Sequence, residues 1–164
     1  MRSIDFKDAK IFIVDDQQSN IDVLCQMLEY EGYKNVSFTT DSTKVESLLE
    51  KLQPDLLLLD LIMPELSGFD ILEMMKKKQM NSIFSDNFIP ILILTADLSK
   101  DNKQKVLAGG AKDFIAKPFD ILEVNLRIRN LLETKYFYML LKSRNMFLEQ
   151  KIIEFLKIKD EWYR

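Results

Sequence analysis

Polar side chains that could do chemistry together stand directly after short apolar runs in this 164-residue chain. Asp15-Asp16 follows KIFIV, Asp60 closes DLLLLD, Thr95 closes IPILILT, and Lys117-Pro118 follows KDFIA. If those runs are neighbouring strands of one sheet, their ends share an edge and these side chains converge there. Carboxylates packed together repel, and each pKa would rise unless a cation neutralised them. An all-oxygen set of Asp15, Asp16 and Asp60 suits a hard divalent ion, Mg²⁺ first, with several waters retained. Thr95 and Lys117 add a hydroxyl donor and a positive charge, which together would hold a phosphoryl group and stabilise in-line transfer. Asp60 is the natural nucleophile, because it stands centrally at the end of the most apolar run. An aspartyl phosphate is established carboxylate chemistry. Taken singly these features are ordinary turn and cap residues; in order, at consecutive strand ends, they are hard to produce by chance.

The elements that must position them are legible as an alternation. The runs at 10–15, 35–40, 55–60, 89–95 and 112–116 read as strands, and three are apolar without alternation, as strands buried on both faces are. Helical spacing of apolar residues marks Asn20 to Tyr30 (Ile21, Leu24, Met27, Leu28) and Ser42 to Leu52 (Val45, Leu48, Leu49, Leu52). Ser67 to Met80 shows the same spacing, and a short polar helix is expected over Lys100 to Ala108. Gly32, Pro54, Pro64, Gly68, Pro90, Gly109-Gly110 and Pro118 fall between elements. A strand-helix pair repeated five times predicts an α/β fold, (βα)5, with a doubly wound parallel five-stranded sheet and helices on both faces. Ligands of such sheets bind beyond the carboxyl ends of the strands, at the topological switch point.

Absences narrow the function further. The chain has no histidine, which excludes a Ser/His/Asp or Cys/His nucleophilic site and a histidine-ligated metal. Its one cysteine, Cys25, cannot form an internal disulfide or a thiolate zinc site. None of the four glycines lies in a dinucleotide or P-loop pattern. No run approaches the length of a membrane span, and the N-terminus is too polar for a signal peptide, so a cytoplasmic location without membrane contact is expected. The net charge of −3 comes from an acidic body through residue 120 and a mildly basic remainder, which argues against nucleic acid as the direct partner.

After Pro118 neither glycine nor proline occurs, so nothing breaks a helix to the end of the sequence. We expect one domain over 1–130 and a helical extension over 131–164 that continues the last helix. One heptad register puts Leu131, Tyr138, Asn145, Ile152 and Lys159 at a, and Thr134, Leu141, Leu148, Phe155 and Trp162 at d. This reads as a dimerising coiled coil, with Asn145 as a buried polar register residue and Tyr138, Leu141, Leu148, Ile152 and Phe155 along the seam. The alternative is a helix that folds back or frays.

The motifs IFIVDDQQSN, LLLLDLIMPELSGFDIL, ILILTA and GAKDFIAKPFDILEVNLRIRNLL closely resemble the receiver domain of two-component response regulators, CheY-like in fold, over residues 8 to about 130. The resemblance implies that Asp60 is the phosphoacceptor and that Asp16, Asp60 and the Ile62 backbone carbonyl bind Mg²⁺, with Asp15 assisting through water. It implies that Thr95 is the switch hydroxyl, Lys117 the phosphate-binding lysine and Phe114 the switch aromatic, here without a hydroxyl. It further implies a cis Lys117–Pro118 bond and places Ile62 and Asp97 beside the path of attacking water. The tail NLLETKYFYMLLKSRNMFLEQKI is similar to linkers that precede cyclic-dinucleotide domains, which suggests a fragment of a longer regulator.

The expected function is therefore a phosphorelay receiver rather than an enzyme that turns over substrate. It would take its phosphoryl group from a partner histidine kinase or a small acyl phosphate, and pass the change to a downstream effector through the face of helix four, strand five and helix five. It is expected to promote its own phosphorylation and dephosphorylation. The alternatives are a phosphotransferase or phosphatase acting on a small substrate, and a constitutive dimerisation scaffold of the same fold.

Overall fold

The computed structural model describes residues 4–81, 88–96 and 99–162. Five strands alternate with helices along the chain: β1 (Lys10–Val14), α1 (Gln18–Tyr30), β2 (Asn35–Thr39), α2 (Val45–Leu52), β3 (Leu56–Asp60), α3 (Gly68–Asn81), β4 (Ile91–Thr95), α4 (Lys100–Ala108), β5 (Asp113–Ala116) and α5 (Ile121–Trp162). All strand pairs are parallel, in the order β2-β1-β3-β4-β5. The chain reverses direction across the sheet between β1 and β3, so the expected switch point lies at the ends of those two strands.

Side-chain alternation splits the core into two layers. Ile11, Ile13, Leu56, Leu58, Leu92 and Leu94 face α1 and α5, where Ile21, Leu24, Leu28, Val124 and Ile128 meet them. Phe12, Val14, Leu57, Leu59, Ile91 and Ile93 face the other side, against Val45, Leu49, Ile71, Leu72 and Val106. This explains why β3 and β4 are apolar at every position before their polar ends: both faces are covered. Burying one such side chain contributes roughly 1.5–3 kcal/mol.

Two expected elements differ in detail. The helix expected from Ser42 opens as a single 3₁₀ turn, Ser42–Lys44, and becomes α-helical at Val45. Asp41 caps that turn through Thr43, which tightens its first residues. The first helix starts two residues earlier than Asn20, at Gln18.

The last helix continues unbroken, as the absence of glycine and proline suggests. It stays packed beyond residue 130: Leu131, Leu132 and Lys135 are buried, and Lys135 Nζ donates to the Pro54 carbonyl at 3.2 Å and pairs with Asp55 at 3.2 Å. Phe6 meets Tyr136 edge-on, and Phe88 meets Tyr138. The expected division at 130 therefore falls inside the packed part of α5. Leu131, placed at a in the heptad, belongs to the core of its own domain. Tyr138, Leu141, Asn145, Leu148, Ile152 and Phe155 are all exposed. No described helix is long and apolar enough to cross a membrane.

Candidate functional site

The backbone reaches the site through strands that stop at one edge. β1 ends at Val14, and Asp15 follows it into a buried position, 1% exposed. Asp60 is the last residue of β3 and is 5% exposed. Thr95 closes β4 and is fully buried. Lys117 follows β5, and its amide donates to the Thr95 carbonyl at 2.8 Å, which ties the two strand ends together. The Lys117–Pro118 peptide is cis, as the resemblance implies.

Asp15 is heavily engaged. One of its oxygens accepts from the Gln17 amide at 2.9 Å and from Asn20 Nδ2 at 3.1 Å. The other accepts from Asn20 at 3.1 Å and from Lys117 Nζ at 2.6 Å. The same ammonium reaches Asp60 at 3.4 Å. Lys117 thus bridges two carboxylates from neighbouring strands, and Asn20 reaches back from the first turn of α1.

Burial pushes the Asp60 carboxyl above its ordinary pKa. Lys117 pulls it part of the way back, and the negative charge of Asp15 adds to the rise.

A tight backbone contact fixes where Asp60 sits. A Cβ on Gly68 would lie 2.3 Å from the Asp60 carbonyl oxygen and 2.7 Å from Leu61 Cα. Only glycine lets the start of α3 approach the end of β3 this closely. The Gly68 amide donates to the Leu61 carbonyl at 2.9 Å, closing the loop between the two elements.

The residues fit a hard cation. Asp15, Asp16 and Asp60 each offer an oxygen within 4.8 Å of the others. Asp16 Oδ1 is buried and has no protein partner, whereas Asp15 is already saturated by donors. A buried carboxylate oxygen without a donor is costly unless something positive meets it. Oxygen donors without nitrogen or sulfur suit Mg²⁺ in particular.

Asp60 and Lys117 open on a cleft of about 610 Å³. Ile62, exposed, lines it beside Asn20, Lys117 and Phe119. Phe114 is partly buried on the far layer of the core, with Lys103 Nζ 5.5 Å from its ring centre. Asp97, expected beside the water path, lies outside the described residues. The sequence reading passed over Gln17 and Asn20. The available signal was their spacing: two and five residues after a carboxylate at a strand end, where the next helix begins.

Comparisons with known proteins agree with this geometry. The response regulator receiver domain model matches residues 11–129. Response regulator SaeR of Staphylococcus aureus (strain USA300) is 39% identical over 122 residues, covering 74% of this chain and 50% of SaeR. The chain thus spans about half the length of the curated relatives it matches. Among solved structures, a CheY-like response regulator receiver domain protein from Methanospirillum hungatei JF-1 superposes with a TM-score of 0.70 at 25% identity, over 80% of this chain and 98% of that one. The signal receiver domain of a putative Luxo repressor protein from Vibrio parahaemolyticus shares the fold, with a TM-score of 0.73 at 23% identity over 82% and 97% of the two chains. A parallel sheet in this order, an acidic cluster at its switch point and a lysine bridging two of its members fit one family, and the chain belongs to it: the receiver domains of two-component response regulators.

Proposed function

We propose that this receiver accepts a phosphoryl group on Asp60 and uses the change to redirect a partner through α4, β5, α5 and the tail. The observation that carries the reading is the bridge of Lys117 to Asp15 and Asp60 beside the unpartnered Asp16 oxygen. An Asp60 carboxylate oxygen forms the new O–P bond as the donor's P–N bond breaks, and the electron pair leaves with the donor imidazole. The chain has no histidine, so a phosphohistidine donor belongs to another protein, a histidine kinase. A small acyl phosphate is the simpler donor.

Receiver domains bind Mg²⁺ at an acidic cluster, and here Asp16, Asp60 and the Ile62 carbonyl would hold the ion, with Asp15 assisting. When bound it neutralises charge on the transferring phosphoryl group. Lys117 orients the Asp60 carboxylate and supplies positive charge where negative charge develops. Thr95, fixed at the end of β4, is the hydroxyl that would meet the phosphoryl oxygens. Phe114, partly buried at the edge of the core beside Lys103, is the aromatic that repacks in response. The tail, beyond Lys135, pairs with a second copy along Tyr138, Leu141, Asn145, Leu148, Ile152 and Phe155, and a downstream effector reads that pairing.

Intact-mass spectrometry after incubation with acetyl phosphate tests the chemistry. One Mg²⁺-dependent phosphoryl adduct is expected on the wild type and none on Asp60→Asn. A folded wild type that takes up phosphate neither from acetyl phosphate nor from a histidine kinase would point instead to a constitutive scaffold of receiver fold. Repeated turnover of an aryl phosphate would make the protein a phosphatase.

A further inference from the structure

The loop between β3 and α3 carries Ile62 past the cleft, and a side chain from a different connection holds its tip. Ser42, 5% exposed, sits in the 3₁₀ turn before α2. Its hydroxyl donates to the Pro64 carbonyl at 3.0 Å and accepts from the Leu66 amide at 3.2 Å. Those groups flank Glu65, which holds a φ of 65° without being glycine. A non-glycine residue persists in the left-handed region where its surroundings over-determine it. One buried hydroxyl therefore satisfies the acceptor before Glu65 and the donor after it.

The rest of the loop is pinned at its root. Gly68 closes it onto Leu61, and Met63 is buried in the core. Ile62 lies between the anchors Leu61 and Met63, two residues before the carbonyl that Ser42 holds. Ser42 is itself tied to the other side of the site. The Asp41 amide donates to Thr39 Oγ1 at 3.1 Å, and the Thr39 carbonyl accepts from the Asp15 amide at 3.4 Å. A hydrogen-bonded path thus runs from the backbone of Asp15, through the end of β2, to the loop that follows Asp60.

We propose that Ser42 is a positioning residue that fixes the β3–α3 loop, and with it the Ile62 carbonyl, so that the carboxylate cluster can hold Mg²⁺. It touches no reacting group and acts through the loop. The inference rests on the metal reading above, but assigns to a residue outside the acidic cluster a share in its affinity. Side chains that orient a metal's ligands commonly change affinity about 10–100-fold when removed.

The test uses the full chain, with Mg²⁺ affinity measured by calorimetry and exchange of the Leu66 amide followed by NMR. Ser42→Ala is expected to melt cooperatively, bind Mg²⁺ about tenfold more weakly and exchange the Leu66 amide faster. Ser42→Thr keeps the hydroxyl and recovers most of both. Ser47→Ala removes an exposed hydroxyl that bonds the Lys44 carbonyl on the same helical segment, and should change neither. Wild-type affinity in a folded Ser42→Ala overturns the proposal, as does an equal loss in Ser47→Ala. Should Ser42→Ala fail to fold, Ser42→Cys keeps the volume with a much weaker hydrogen-bonding group and carries the same expectation. A wild type that binds no Mg²⁺ defeats the metal reading and this inference with it, whereas wild-type binding indifferent to Ser42 defeats this inference alone.

Discussion

α5 passes through two environments without a break. As far as Lys135 it lies on the sheet, with Val124, Ile128, Leu131 and Leu132 buried at helical spacing. Beyond Tyr136 the sequence is at least as apolar, yet Leu141 is 64% exposed, Leu148 50% and Phe155 67%. The backbone solves both stretches in the same way, because helical hydrogen bonds are local. Burial is not local, and it follows the partner. Each large apolar side chain left in water forgoes roughly 1.5–3 kcal/mol, so the second stretch is helical but incomplete as a surface. Met139, Leu140, Met146, Phe147 and Ile153 are exposed as well and stand off the a and d columns. A two-stranded seam would cover only part of that surface.

The contrast can be broken or sharpened by substitutions, ordered here by expected effect on the stability of the packed body. Gly68→Ala should cost most, about 3 kcal/mol, because the added Cβ meets backbone at 2.3 Å rather than a side chain that can swing away. Urea denaturation measures it; a loss under about 1 kcal/mol would mean that the start of α3 is far less closely held than the structure has it.

Lys135→Ala comes next, at about 2 kcal/mol. Asp55 is 37% exposed, so solvent screens the ion pair and most of the loss comes from the lysine stem and the Pro54 carbonyl. Hydrogen exchange should then rise between residues 131 and 139, moving the border between the two environments towards the sheet. Unchanged protection there would show that apolar packing alone sets the border.

Asp60→Asn should stabilise the apo protein at neutral pH. A carboxyl whose folded pKa is raised binds more protons in the native state than in the unfolded one, so wild-type stability falls as pH rises from the ordinary carboxylate value through the raised one. The amide has no such fall, and the gap in melting temperature should open across that window and then level off. A gap that stays constant with pH would remove burial as the source of the shift.

Leu148→Lys should move receiver stability by less than about 0.5 kcal/mol, because the side chain is half exposed and belongs to neither core layer. It should nevertheless lower the sedimentation mass if the tail pairs with a second copy, and an unchanged mass would remove the seam.

Much of this was legible beforehand because parallel strands buried on both faces leave an unmistakable pattern. DLLLLD and IPILILT could be little else, and a polar residue ending such a run must stand at the sheet edge. Asp15, Asp16, Asp60, Thr95 and Lys117 all lie at that edge. Less legible were residues whose role comes from distance in sequence. Ser42 meets a loop more than twenty residues away, and Lys135 meets Pro54, which lies 81 residues earlier in the chain. A serine in a turn and a lysine on a helix are ordinary in any sequence, and neither carries a periodic signature. Asn20 was nearer to being found, since it stands five residues after Asp15, in the first turn of the next helix.

Composition and apolar spacing alone determined the alternation of elements, the parallel sheet and the shared edge of the acidic residues. Those follow from backbone geometry and from the cost of leaving apolar side chains in water, both of which act along the chain. Tertiary structure alone decided that Lys117 bridges Asp15 and Asp60, that Asp16 keeps a buried oxygen without a protein donor, and that burial raises the pKa of Asp60. It also decided where α5 ceases to be core. These depend on distances of a few ångströms between residues far apart in sequence, and electrostatic and desolvation energies change steeply over such distances.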